Sequence, residues 1–205
     1  HEHITEQDLR LLAAPSLLIL KLPRSNIKLH LAPYLPQSLT SLDITPEALM
    51  NDTPEAELAE GFFRVLPPNL TSLATDFHRA PLPGSIGNMP SCITELRLWH
   101  TGLKDEAVAL FPRNLRKCAL TSESLTNACF KLLPPQLRHL SLLAPIDGSA
   151  AKDLPTSLRR LKLPTFKMAY FYDLPATLTY LECNTFSGLL PLSFLTAKHM
   201  ISSER

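Results

Sequence analysis

"LPPQLRHLSL" occupies residues 133–142, "LPTSLRRLKL" residues 154–163 and "LPATLTYLEC" residues 174–183. The apolar letters keep their places while the polar ones change. Working outward, the same wording recurs as "LPQSLTSLDI" from residue 35, "LPPNLTSLAT" from 66, "MPSCITELRL" from 89 and "FPRNLRKCAL" from 111. The prolines that mark the copies are Pro36, Pro67, Pro90, Pro112, Pro134, Pro155 and Pro175, spaced by 31, 23, 22, 22, 21 and 20 residues. A degenerate copy, "APSLLILKL", precedes them at 14–22, and "LPLSFLTAKH" at 190–199 reads as a decayed last one. Self-similarity at roughly 20–25 residues is the mark of stacked units, none of which can bury its apolar side alone.

Within a unit, L-x-x-L-x-L is a short strand whose alternate side chains point inward. Proline stands ahead of the strand, where its missing N–H removes no ladder bond. The remaining residues must return on the other side. "KDEAVALF" (104–111) and "LTNACFKLL" (125–133) read as short helical returns, and "FKMAYFYDLP" (166–175) as helical or extended. The widest interval holds "TPEAELAEGFFRV" (53–65), a longer helix with Thr53 as cap and Pro54 in the first turn. A capping helix is expected over about 4–13, where Thr5 and Asp8 resemble a capping box.

The wording resembles the leucine-rich repeat family over roughly residues 14–199. Two short variants are most similar: the repeats of IpaH-type bacterial effectors and the FNIP repeat, whose F-N-x-P-[LI] segment is matched by "DFHRAPLPGSIGNMPSCITEL" (76–96). The resemblance implies one domain over 1–205. Its fold would be a right-handed α/β solenoid with a parallel sheet on the concave face and short helices or extended returns on the convex face. It implies protein recognition without catalysis. One departure stands out. Many such repeats place Asn three residues after the last strand leucine, and here that position holds Glu47, His78, Thr101, Glu123, Pro145, Phe166 and Phe186. The turn must be satisfied in another way, with aromatic packing one candidate.

Bulk composition fits a folded module. Of 205 residues 45% are hydrophobic and 19% charged, enough for a sizeable core. The net charge of +1 hides a split: residues 1–110 carry 8 Lys/Arg against 13 Asp/Glu, residues 111–205 carry 12 against 6. The basic second half reads either as a surface for an acidic partner or as plain solvated surface. Cys92, Cys118, Cys129 and Cys183 form no C-x-x-C pair and no zinc spacing, which suits a reducing compartment. No leader pattern is visible at the start, and "LLAAPSLLIL" (11–20) is too short to span a bilayer. The expected location is the cytoplasm, or a host cytoplasm for a delivered effector.

Catalytic signatures are missing: there is no G-x-G-x-x-G, P-loop, G-x-S-x-G or H-E-x-x-H. "HEH" at 1–3 reads as a loose terminus. The ligase of IpaH-type effectors uses Cys-x-Asp, and the four cysteines here begin "CIT", "CAL", "CFK" and "CNT". No enzyme activity, cofactor, metal or small-molecule substrate is expected.

Stacking the strands places outward residues in columns. The first runs Thr40, Thr71, Thr94, then Arg116, Arg138 and Arg159, then Thr179. Glu95, Lys117, His139, Arg160 and Tyr180 follow one another in the second. The third includes Arg97, Lys162 and Glu182, and just past the strand stands Trp99, the single tryptophan. Strands lie about 4.8 Å apart, so the stacked arginines repel by roughly a few tenths of a kcal/mol per pair. One reading is a stripe that binds an acidic protein, or less readily RNA. The other is a solvated basic face whose long side chains cover the sheet. Trp99 reads as an interface anchor or as partly buried under the following loop. Two functions stay open: an adaptor or substrate-recognition module, and a structural subunit of a large assembly, with or without RNA, that contacts acidic protein or RNA through the stripe.

Overall fold

In the computed structural model, the described residues are 4–12, 16–22, 29–44, 61–76, 83–99, 102–188 and 200–202. Among them run nine strands: β1 (Ile19–Leu22), β2 (Ser41–Ile44), β3 (Ser72–Asp76), β4 (Glu95–Trp99), β5 (Lys117–Thr121), β6 (His139–Leu143), β7 (Arg160–Lys167), β8 (Tyr180–Ser187) and β9 (Met200–Ser202). They form one sheet in strict chain order, every neighbouring pair parallel. Parallel neighbours need a crossover, and here the crossovers contain short helical turns: Leu29–Tyr34, Pro83–Ile86, Asp105–Val108, Asn127–Leu132, Ala151–Asp153 and Met168–Asp173. The chain is thus an α/β protein built on one parallel sheet.

Proline punctuates seven units in the same way. The carbonyls of Pro36, Pro67, Pro90, Pro112, Pro134, Pro155 and Pro175 each accept from the N–H three residues on, at 2.9–3.2 Å. This closes the turn that enters the strand. The residue before proline is pushed out of helical geometry by the ring. Leu133, Leu154 and Leu174 accordingly sit near φ −65°, ψ 145°, each the end of a 3-10 turn. Proline thereby ends the return and starts the strand.

The strand leucines fill the core. Leu137, Leu140 and Leu142 are buried, as are the corresponding Leu115, Cys118 and Leu120 one strand earlier. Phe62, Phe63, Ile86, Val108 and Phe130 close the core from the returns. Truncating one of these leucines to alanine costs about 2–5 kcal/mol. Among the described residues one inward strand position is polar: Thr75 is fully buried in line with Ile44 and Leu98, and its hydroxyl has no hydrogen-bond partner there.

Several expectations hold. The helix Glu6–Leu12 begins with the capping box, since Asp8 accepts from the Thr5 N–H at 2.8 Å and Thr5 Oγ1 accepts from the Asp8 N–H at 3.3 Å. Residues 104–111 and 125–133 contain helical turns. The helix expected from Thr53 lies mostly outside the described residues; 61–64 are helical. The copy at 190–199 lies outside them too.

Two expectations need correction. Strands β7 and β8 run for eight residues each, beyond the short L-x-x-L-x-L. Their register resumes after Pro164, which interrupts the ladder, with Thr165 opposite Thr185 and Phe166 opposite Phe186. Aromatic packing at the missing asparagine position is also confined to these strands. Phe166 is fully buried and Phe186 half-buried, while Glu123 and Pro145 are exposed; Glu47, His78 and Thr101 lie outside the described residues. Gly148 (φ +81°) makes room for Phe166: a Cβ there would stand 2.5 Å from the ring.

One set of side-chain bonds between units lies two residues after the marker proline. Ser38, Ser157 and Thr177 donate to the carbonyls of Leu17, Leu137 and Leu158, each at 2.7 Å. Cys92 donates its S–H to the Leu70 carbonyl at 3.1 Å. Each bond ties one unit to its predecessor.

Candidate functional site: the exposed sheet face

Alternation leaves one sheet face against the core and one against solvent. The pairing register runs Glu95, Lys117, His139, Arg160, Tyr180 across β4–β8. A second row runs Arg97, Ala119, Ser141, Lys162, Glu182. Both rows match the columns read from sequence. Over them lies a concavity of about 370 Å³, lined by both rows and by Trp99.

The rows are not uniformly basic. Glu95 pairs with Arg97 at 2.9 Å and with Lys117 at 3.3 Å. At the other end Lys162 meets Glu182 at 2.5 Å, and the Tyr180 hydroxyl donates to the same carboxylate at 2.9 Å. The Arg160 guanidinium lies over the Tyr180 ring, 4.5 Å from its centroid. Four cations therefore face two carboxylates, and the carboxylates stand at the two edges. Such exposed pairs stabilise the fold by only about 0–1 kcal/mol each. Their larger effect is to hold long side chains in place.

Electrostatics follow from this placement. Burial would push the Glu95 carboxyl up, but hydrogen bonds from Arg97 and Lys117 outweigh it and leave it below the ordinary range. Glu182 is held low by its bond from Lys162, and its acceptance of the Tyr180 proton raises that phenol. His139, in the centre, is depressed by partial burial and then by Arg160 and Lys117 on the adjacent strands. It is therefore a neutral imidazole near pH 7.

The structure divides the sequence-derived stripe. Arg116, Arg138 and Arg159 are exposed and make no side-chain hydrogen bond or ion pair among the described residues. They stand just before the strands, outside the concavity. Their backbone joins the ladder: the Arg138 N–H donates to the Arg116 carbonyl and the Arg159 N–H to that of Arg138, both at 2.8 Å. At the same position Thr40, Thr71, Thr94 and Thr179 turn their hydroxyls onto the preceding carbonyl at 3.0–3.3 Å. Threonine thus adds a bond here that arginine does not.

Trp99 is half-buried at the end of β4 and borders a second hollow of about 210 Å³. Leu143, Pro164 and Thr121 line that hollow, and Leu143 is 56% exposed. Ala119, Ser141 and Lys162 belong to both hollows, so the two are continuous. Sequence reasoning did not single out this apolar part. Its signal was present in the residues that follow each L-x-x-L-x-L, which turn apolar at Leu143 and Pro164. The acids Glu95 and Glu182 were singled out, but not as counter-ions; their adjacency to Lys117 and Lys162 in the columns was the readable clue.

Among the described residues no group of three or more His, Cys, Asp or Glu is placed to hold a metal ion. No helix there is long and apolar enough to cross a membrane. No protein-family model matches the sequence, and a comparison with curated proteins finds no match.

Proposed function

We propose that the chain is a leucine-rich repeat solenoid acting as a non-catalytic protein-recognition module, of adaptor or substrate-recognition type, and that its partner docks on the exposed sheet face. The observation that carries this reading is the continuous hollow over β4–β8, floored by small residues and walled by held cations. Pre-placed charged side chains lose less freedom on binding, which favours recognition over plain solvation. The three unpaired first-column arginines lie beside the hollow, where they would steer an acidic partner by long-range attraction. A structural role in an RNA-containing assembly is the second reading; the same arginines favour it.

Arginine-to-threonine replacement separates function from folding. The triple variant Arg116→Thr/Arg138→Thr/Arg159→Thr installs the residue that four other units carry at this position. It should fold as wild type. In salt-titrated capture from cell extract it should lose salt-sensitive protein partners, whereas Arg113→Glu/Lys131→Glu, exposed on the Pro112 turn and on a return, should keep them. Equal capture by both variants would refute the role given to this face, and loss of bound RNA alone would favour the second reading.

A further inference from the structure

The hollow has two chemically different ends. At one end Lys117 and Arg160 flank neutral His139. At the other Trp99 and the exposed Leu143 face the apolar part. The two are displaced along the strands: His139 and Leu143 are four residues apart in β6, about 13 Å at strand rise. Volumes of about 370 and 210 Å³ admit one or a few side chains each. An α-helix, about 10–12 Å across, would rest on the rim.

Resting on the protein-recognition reading above, we propose that the occupant is an extended peptide segment with an acidic side chain and, four residues away, a large apolar one. The carboxylate is held by Lys117 and Arg160 above His139, and the apolar side chain packs between Trp99 and Leu143. An extended segment turns alternate residues to the same side, so positions four apart share a face and span the required distance. Lysine has three donors and arginine five, so both retain N–H groups for the ligand beyond Glu95 and the Tyr180 ring.

Charge complementarity selects a compact anion over a nucleic acid. The cationic row spans only β5–β7, about 10 Å, and Glu95 and Glu182 close it at both edges. A phosphodiester chain would meet those carboxylates on leaving the row, where nucleic-acid sites favour continued positive charge. Base stacking also lacks a platform, because Arg160 covers the Tyr180 ring and Trp99 is half-buried.

The test is a seven-residue random-peptide display selection on the whole chain, with Ser141→Phe as the variant that fills the shared floor. Circular dichroism and a melting curve first establish that each variant folds. Enriched peptides should carry Asp or Glu with Leu, Ile, Phe or Met four positions away. Synthetic copies should bind wild type about tenfold more tightly than Lys117→Glu/Arg160→Glu or Leu143→Ser. Peptides that need an open floor yet lack this spacing overturn the inference and leave protein recognition by the face standing. Failure to enrich any peptide sensitive to Ser141→Phe overturns both. So does an oligouridylate that binds the face more tightly than every selected peptide.

Discussion

The guanidinium of Arg160 lies 4.5 Å from the centroid of the Tyr180 ring, and the Tyr180 hydroxyl is in turn bonded to Glu182. Arg160 is thereby held over the ring at the border of the hollow, with the ring oriented by its own hydrogen bond. A cation–π contact of this exposed kind is worth about 0.5–1 kcal/mol. Tyr180→Leu should therefore weaken binding of an acidic partner about two- to fivefold. Tyr180→Phe keeps the ring and should cost less. Isothermal titration calorimetry of the three proteins decides this, and equal losses for Leu and Phe would remove the ring from the account.

His139 makes that binding pH-dependent. Facing it are Lys117 on β5 and Arg160 on β7, with Arg138 beside it, all disfavouring its charged form; Glu95 favours it. Its pKa in the free protein is depressed, so its contribution to stability is present above the ordinary histidine range and is lost as pH falls. A bound carboxylate supports the imidazolium, so His139 takes up a proton on binding, which gives the opposite trend for binding. Affinity should rise about threefold from pH 7.5 to 5.5, and His139→Gln should flatten the profile. An unchanged slope in the variant would assign the pH effect elsewhere.

Thr75→Val should stabilise the chain by about 1 kcal/mol, because it replaces a buried hydroxyl without a partner by a methyl of nearly equal shape. The flanking residues in its row are Ile44 and Leu98, so the pocket already suits an apolar group. Urea unfolding should show a higher midpoint at unchanged slope. A lower midpoint would mean that the hydroxyl has a partner after all.

Thiol chemistry should single out Cys92. Burial pushes Cys118 far above the ordinary thiol range, and Cys129 and Cys183 each up to about 12. All three therefore stay protonated and inaccessible at neutral pH. Cys92 is half-buried, its S–H bonded to the Pro68 and Leu70 carbonyls. Ellman's reagent should label Cys92 slowly in the native chain and all four cysteines in denaturant. Fast native labelling of a second cysteine would mean that the core opens readily.

Much of the fold was legible because its signal is repeated. A single L-x-x-L-x-L is ambiguous between strand and helix, but seven copies with proline at a fixed offset allow only one register. The outward columns, and with them Lys117 beside His139 beside Arg160, followed from counting. What escaped was what counting cannot supply. The extension of β7 and β8 carries Phe166 onto Gly148, a contact between residues 18 apart. The inter-unit bonds at Ser38, Cys92, Ser157 and Thr177 use different residue types in the same role, so no letter repeats to announce them. The division between first-column arginines and hollow-lining cations depends on where the concavity begins, one residue later at Lys117, His139 and Arg160, a boundary that counting does not mark.

Recognition on the exposed sheet face is tested most directly by site-specific photo-crosslinking. A benzoylphenylalanine would be placed at Asn184, exposed at the border of the hollow, and separately at Lys131, exposed on a return. The account predicts a discrete protein adduct from position 184, suppressed by excess unlabelled chain and by high salt, with none from position 131. An adduct only from position 131, or nucleic acid as the sole species captured at position 184, would contradict it.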